Sequence, residues 1–158
     1  MANYISYIRA GEIANDRLNV DAWDDAVIAD GSEAGLEGST TYKSIYMATA
    51  AIDRLNFIGE KTSSTQDNQF PRGEDTAIPT DIELATFEIA LALLDDIDPE
   101  MEASNLGVIS QGYANVRSTY DRNVPSPHIV AGIPSVIAWR YLTPYLRDSR
   151  TINITRSS

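Results

Sequence analysis

Residues 78–97 read IPTDIELATFEIALALLDDI and predict a long helix. Thr80 and Glu83 have the spacing of a capping box, and the helical pattern then continues up to Pro99. Residues 90–94 of this stretch are apolar on every side of a helix, so we expect other elements to enclose it rather than to lie on one face only. The stretch therefore predicts a helical fold with this segment inside it.

A second helix is predicted within residues 42–59, YKSIYMATAAIDRLNFIG. Three residues that favour helix N-termini precede it, Ser39, Thr40 and Thr41, and Gly59 is expected to stop it. Its apolar positions recur at helical spacing. These positions are Ile45, Ala48, Ile52 and Leu55.

Further helices are predicted near both ends of the chain. Residues 133–146, IPSVIAWRYLTPYL, place Pro134 in a first helical turn and Pro144 at a bend or end. The side chains expected to face the core are Trp139, Leu142 and Leu146. Residues 7–29 predict one broken helix or two short ones with Trp23 as an anchor, followed by a loop.

The helical spacing of apolar residues is interrupted within residues 106–121, LGVISQGYANVRSTYD. Val, Ile, Tyr and Thr are frequent there and Gly112 lies near the middle, which predicts two short strands or an extended arm over about residues 105–122. An isolated hairpin is only marginally stable, so it should lie on helices or pair with a neighbouring subunit. The predicted interface residues are Val108, Ile109, Tyr113, Val116, Arg117 and Tyr120.

The chain ends on residues 148–158, DSRTINITRSS, in which polar and apolar residues alternate between two arginines as in a half-buried strand. No strand follows that could pair with it. Such a segment can add to an exposed sheet edge of another molecule or place Ile152 and Ile154 in a groove. The sequence thus predicts a mainly α fold: a small bundle of about four helices over residues 1–147, with a β-hairpin or extended arm, and an extended C-terminal tail over residues 148–158.

Composition narrows the class of protein. The chain has 158 residues, of which 43 % are hydrophobic and 22 % charged, as expected for one globular domain. The absence of cysteine excludes disulfides, thiolate metal sites and a cysteine nucleophile, and fits a reducing cytoplasm. The sequence shows neither a cleaved signal nor a membrane span, so we expect a soluble protein without a membrane partner.

The formal net charge of −11 is distributed unevenly. Residues 1–102 contain 21 acidic and 6 basic residues, a net charge of −15, whereas residues 103–158 contain 2 acidic and 6 basic residues, a net charge of +4. An acidic field opposes binding to a polyphosphate backbone. The simpler alternative is that the acidic excess only keeps the surface solvated.

No motif indicates catalysis, a metal or a cofactor. His128 is the single histidine, no nucleophile turn accompanies it, and it is expected to be structural or to lie at an interface. Residues 95–102, DDIDPEME, carry acidic residues at alternate positions, as do the first ligands of a calcium-binding loop. The rest of that pattern is missing, because such a loop needs glycine at its sixth position and glutamate at its twelfth, where this chain has Met101 and Gly107. Residues 70–73, FPRG, lack the lysine and glycines of a phosphate loop, so Phe70 is expected to hold the polar loop before it against the core.

The order of motifs along the chain resembles the small head-to-tail connector, or adaptor, proteins of tailed bacteriophages, a family also described as DnaT-like single-stranded-DNA-binding proteins. The resemblance covers roughly residues 12–148. The motifs that carry it, in order, are RLNVDAWDDA, ATAAIDRLNFIGEKT, NQFPRG, IPTDIELATFEIALALLD, LGVISQGYANVRSTYDR and AGIPSVIAWRYLTPYL.

This resemblance implies a structural protein of the virion rather than an enzyme. It implies a ring of identical subunits, expected to be a dodecamer, that assembles in the host cytoplasm at the head–tail junction. Portal protein would bind on one side and the next tail or neck component on the other, and genomic DNA would pass through without specific binding. The tail residues expected to bind the portal are Arg147, Arg150, Thr151, Ile152, Asn153, Ile154, Thr155 and Arg156.

The DnaT-like description implies an alternative, a replication accessory protein that binds single-stranded DNA. The net charge of −11 gives this alternative no support. The two hypotheses differ in what they predict for DNA affinity and for ring formation.

Overall fold

The computed structural model describes residues 2–101, 110–113, 116–119 and 126–147, and the fold is mainly helical, as the sequence predicts. Two short 3₁₀ turns, Gly31–Glu33 and Thr143–Tyr145, adjoin the helices. The helices are α1 (Tyr7–Asn15), α2 (Asp21–Asp30), α3 (Thr40–Asp53), α4 (Thr80–Leu94), α5 (Pro127–Val130) and α6 (Val136–Leu142). The strands are β1 (Ser110–Tyr113) and β2 (Val116–Thr119).

Helix α4 lies at the centre of the bundle, which confirms the prediction from its apolar composition. It packs against α3 and α6 most extensively, and also against α1 and α2. Contact on several sides explains why this helix has no polar face over most of its length, since a polar face would leave unsatisfied groups in the core. Its fully buried apolar side chains are Ile82, Ala85, Phe87, Ile89 and Ala90.

Helices α1 and α2 are the two short helices expected before residue 30, and Trp23 is the anchor between them. The Trp23 ring is buried and packs edge-on to Phe87 of α4, with ring centroids 5.6 Å apart, and stacks near Tyr7 of α1 at 5.9 Å. In the loop after α2, a Cβ on Gly35 would come within 2.5 Å of the Tyr7 side chain. Glycine is required at this position because the chain passes directly over that ring and has φ +79°.

The N-terminus of α3 has two caps, one predicted and one not. Ser39 is the N-cap residue, and its hydroxyl oxygen accepts a hydrogen bond from the Tyr42 amide at 3.2 Å. The Asp30 carboxylate accepts two more, from the amides of Thr40 at 2.9 Å and Thr41 at 2.7 Å. Burial alone would raise the pKa of Asp30, but these hydrogen bonds outweigh it and lower the pKa.

Helix α3 ends at Asp53, earlier than the position of Gly59 suggests. At this end of the helix, the Asp53 carboxylate accepts hydrogen bonds from the Tyr4 hydroxyl and from the Gln69 amide, the latter at 2.9 Å. The Tyr4 hydroxyl in turn accepts from the Phe70 amide at 3.2 Å. Burial, and next the bond to Asp53, raise the pKa of Tyr4, so this cluster holds a neutral phenol that joins the N-terminal segment, α3 and the following loop.

Three further predicted helix boundaries are wrong, besides the end of α3. Pro79 is the N-cap residue of α4 and makes no side-chain cap bond, and Thr80 already lies in the helix, so the predicted capping box with Glu83 does not form. Helix α4 ends at Leu94, three residues short of the predicted end. Helix α6 begins after Pro134 because Ser135 caps it, accepting from the Ala138 amide at 3.2 Å.

The remaining sequence predictions for α6 are confirmed. Leu142 is fully buried, and Trp139 and Leu146 are partly buried against the core. Phe70 is buried as well and holds the polar loop before it against the bundle, as predicted.

Strands β1 and β2 form the predicted hairpin. They are antiparallel, with Tyr113 opposite Val116 and Gly112 opposite Arg117. Two residues, 114 and 115, therefore separate the strands, and Gly112 lies within β1 rather than between two strands.

Candidate interaction surfaces

The first surface is the C-terminal end of the described chain, residues 145–147. Leu146 lies opposite Phe57 in an isolated antiparallel bridge. The Ile58 amide donates to the Tyr145 carbonyl oxygen at 2.9 Å, and the Arg147 amide donates to the Asn56 carbonyl oxygen at 3.0 Å. Because the two segments are antiparallel, the chain from Tyr145 to Arg147 runs toward the C-terminal end of α3.

Aromatic packing fixes this bridge from below. Phe57 is 2 % exposed, and its ring packs edge-on to Phe70 with centroids 4.8 Å apart. Tyr145 packs edge-on to the same Phe70 ring at 5.6 Å, and its hydroxyl lies 3.3 Å from the Asp81 carboxylate at the start of α4. The Arg72 guanidinium lies over Phe57 and Phe70, 5.8 and 6.0 Å from their centroids. Tyr145 and Leu146, here called the root of the C-terminal segment, therefore pack against the core.

Of the predicted portal-binding residues, only Arg147 is described. It is exposed and follows directly on the bridge. The others lie outside the described residues: Arg150, Thr151, Ile152, Asn153, Ile154, Thr155 and Arg156.

The second surface is the hairpin. Of the predicted interface residues, Tyr113, Val116 and Arg117 belong to the two strands, whereas Val108, Ile109 and Tyr120 lie outside the described residues. Within the described part of the chain, each strand pairs with the other, and no helix packs on the hairpin as extensively as the helices pack on one another.

The third surface is a cleft that sequence analysis did not predict, here called the α3–α4 cleft. It has a volume of about 470 Å³ and lies between the C-terminal halves of α3 and α4 and the segment that leads into α6. Met47, a 55 % exposed side chain, projects at its side. The side chains from α3 and α4 that line it are Met47, Ala50, Ala51, Arg54, Ile89 and Leu93.

The rim of the α3–α4 cleft is acidic. Residues 96–100 line it, and three of these, Asp96, Asp98 and Glu100, are exposed carboxylates. Asp96 has φ +57°, and the Ile97 amide donates back to the Ala92 carbonyl oxygen at 3.1 Å, so the chain turns sharply at the end of α4. This turn brings the acidic segment, residues 96–100, to the mouth of an apolar cleft, where Arg54 is the one basic lining residue among those described.

A fourth surface lies between α1, α4 and α6 around a salt bridge. The Arg17 guanidinium contacts the buried Glu88 carboxylate through both nitrogen–oxygen pairs, at 2.5 and 2.8 Å. Leu18 beside it is 84 % exposed, and Val136 and Ile137 of α6 are also exposed. The contact between Arg17 and Glu88 spans 71 positions of sequence, so no local pattern could have predicted it.

Outside these surfaces, the sequence singles out the one histidine and the acidic side chains as candidates for chemistry. His128 lies in the short helix α5, half-buried, and burial lowers its pKa. Among the described residues, no three His, Cys, Asp or Glu side chains are placed to hold a metal ion. No helix in the described ranges is both long enough and apolar enough to cross a bilayer.

Comparison with known proteins identified no relative: no family model, no curated protein and no solved structure matches this chain.

Proposed function

We propose that this chain is a structural component of a tailed-phage virion, a head-to-tail adaptor that assembles as a ring of identical subunits, expected to be a dodecamer, between the portal and the next tail component. Genomic DNA passes through the ring without specific binding. The proposal requires no catalytic group, metal or cofactor.

The observation that carries the proposal is the anchored root of the C-terminal segment. The Phe57–Leu146 bridge and the ring packing beneath it hold Leu146 against the core, and the exposed Arg147 follows directly. A basic, strand-patterned segment that starts from a rigid point can add to an edge or groove of a portal subunit with main-chain hydrogen bonds. Anchoring the root lowers the entropy cost of that binding.

The hairpin supports the same proposal. Strands of four residues are marginal on their own, and the described helices do not cover this pair as they cover one another. A neighbouring subunit of the ring supplies the missing contact. Positions 113, 116 and 117 of the hairpin are then the described part of the subunit interface.

The charge distribution supports passage of DNA rather than its binding. The net charge is −11, and 21 of the 23 acidic residues precede residue 103. A lumen lined by like charge lets a duplex slide past, because it offers few cations to replace the counterions of the phosphates.

Electron microscopy of the purified protein, alone and mixed with portal-bearing heads, tests this function. We expect ring-shaped particles, and additional density at the unique vertex of the heads. Heads from the same phage that lack the portal are the control and should acquire no density. A protein that stays monomeric under both conditions and binds single-stranded DNA at sub-micromolar concentration would instead support the replication accessory alternative.

A further inference from the structure

We infer that the α3–α4 cleft is a peptide-binding site whose ligand is the C-terminal segment of the same chain, residues 148–158. In the free protein this segment lies in the cleft, and it leaves the cleft when it binds the portal. The regulatory part of this inference rests on the proposed function, but occupation of the cleft does not.

The direction of the chain supports the inference. Arg147 donates its amide to Asn56, two residues after Arg54, which lines the cleft. The antiparallel bridge directs the following residues along the end of α3. Five further residues, as far as Ile152, can span about 17 Å when extended. Met47 and Arg54 are separated by about 10 Å along the helix axis, so Ile152 can reach the level of Met47.

The apolar surfaces match. Ile152 and Ile154 are two positions apart and therefore share one face of an extended segment. The cleft offers Met47 and Ile97, both exposed, above the partly buried Leu93. Methionine adapts readily to the shape of a peptide side chain. Burying the two isoleucines there would cover the largest apolar side chains of both partners.

The charges also match. The C-terminal segment carries Arg150 and Arg156, and the rim of the cleft carries three carboxylates against one arginine. The arginines would lie on both sides of the isoleucines, near the two ends of the acidic rim. Exposed pairs of this kind contribute little affinity each, but they direct the segment to the cleft, and salt weakens their effect.

The chain contains no cysteine, so a pair of introduced thiols tests the inference without background. The test variant carries Met47→Cys and Ile152→Cys in the full-length protein. The matched control carries Ile8→Cys and Ile152→Cys, because Ile8 is at least as exposed but lies on α1, away from the cleft lining. Oxidised glutathione accepts the two electrons as the two thiols form one disulfide.

We expect the test pair to form an intramolecular disulfide at least about tenfold faster than the control pair, since docking raises the local thiol concentration. Asp96→Asn with Asp98→Asn, or added salt, should reduce this advantage, whereas Glu33→Gln with Glu37→Gln should preserve it. Equal rates for the two thiol pairs overturn the inference. A faster but intermolecular disulfide also overturns it, and assigns the cleft to the tail of a second copy. The experiment contains no portal, so its failure is distinct from failure of the proposed function.

Discussion

Leu146 and Phe57 lie opposite each other in an antiparallel bridge, and this pair joins the C-terminal end of the described chain to the core. On one side of it, Tyr145 packs on the buried Phe70 ring with centroids 5.6 Å apart. On the other side, the Arg147 amide makes the last described backbone contact, with Asn56. We therefore expect residues up to 147 to contribute to the stability of the fold, and the residues after 147 to contribute to binding.

Two truncations test that boundary. Deletion of residues 149–158 spares the bridge and removes only the contacts of Ile152 and Ile154 with the cleft, so it should cost clearly less free energy of unfolding than the longer deletion. Deletion of residues 145–158 removes Tyr145 and Leu146 from the core and should cost about 2–4 kcal/mol. Chemical denaturation measures both.

The shorter deletion also tests portal binding. We expect the protein without residues 149–158 to fold normally but to fail to attach to portal-bearing heads in co-sedimentation. Attachment equal to that of the full chain would refute the role proposed for Arg150, Ile152 and Ile154.

Substitutions in the hairpin test whether it forms a contact between subunits or belongs to the core of one subunit. Val116→Asp, or Tyr120→Asp, should abolish oligomers in analytical ultracentrifugation while leaving helical circular dichroism unchanged, because a buried carboxylate disrupts a subunit contact. Val130→Asp, at a 67 % exposed position of α5, is the matched control and should assemble normally. Loss of helical content in the hairpin variants would mean that the hairpin belongs to the core of the subunit.

Asp30 provides a prediction that depends on pH. Its carboxylate caps α3, so Asp30→Ala should cost about 1 kcal/mol at neutral pH. The folded-state pKa lies below the ordinary value of 3.8, so the contribution is fully present above that value and is lost as pH falls through the folded pKa. Chemical denaturation at pH 7 and near pH 3 should show that the difference in free energy of unfolding between wild type and Asp30→Ala is smaller at the acidic pH. Asp30→Asn retains one acceptor oxygen, so at pH 7 it should lose less free energy of unfolding than Asp30→Ala.

Local sequence patterns predicted the elements well and some boundaries poorly. The apolar positions of α3 and α4, and the cap at Ser39, follow from residues within one or two helical turns. The same reasoning failed for α4, where Pro79 occupies the cap position and leaves Thr80 inside the helix. A capping box specifies only two of its four residues, so chance matches are common.

The candidate sites depend on contacts between residues far apart in the sequence, which local patterns do not predict. The bridge that precedes the C-terminal segment joins Phe57 to Leu146, 89 positions apart. The α3–α4 cleft combines two helices with a turn whose course depends on the positive φ of Asp96, a residue that is not glycine. The acidic segment at residues 95–102 was visible in the sequence, but its position beside Met47 was not.

DNA binding separates the two functional hypotheses. Since 15 net negative charges precede residue 103, we expect single-stranded DNA to bind more weakly than about 10 µM at physiological salt, in the range of non-specific contacts. Any binding should weaken further as salt rises, because it would come from the six arginines of residues 103–158. Fluorescence anisotropy with a labelled oligonucleotide measures both. Arg150→Gln with Arg156→Gln should reduce the residual binding, and sub-micromolar affinity in the wild type would reject the adaptor in favour of a replication accessory protein.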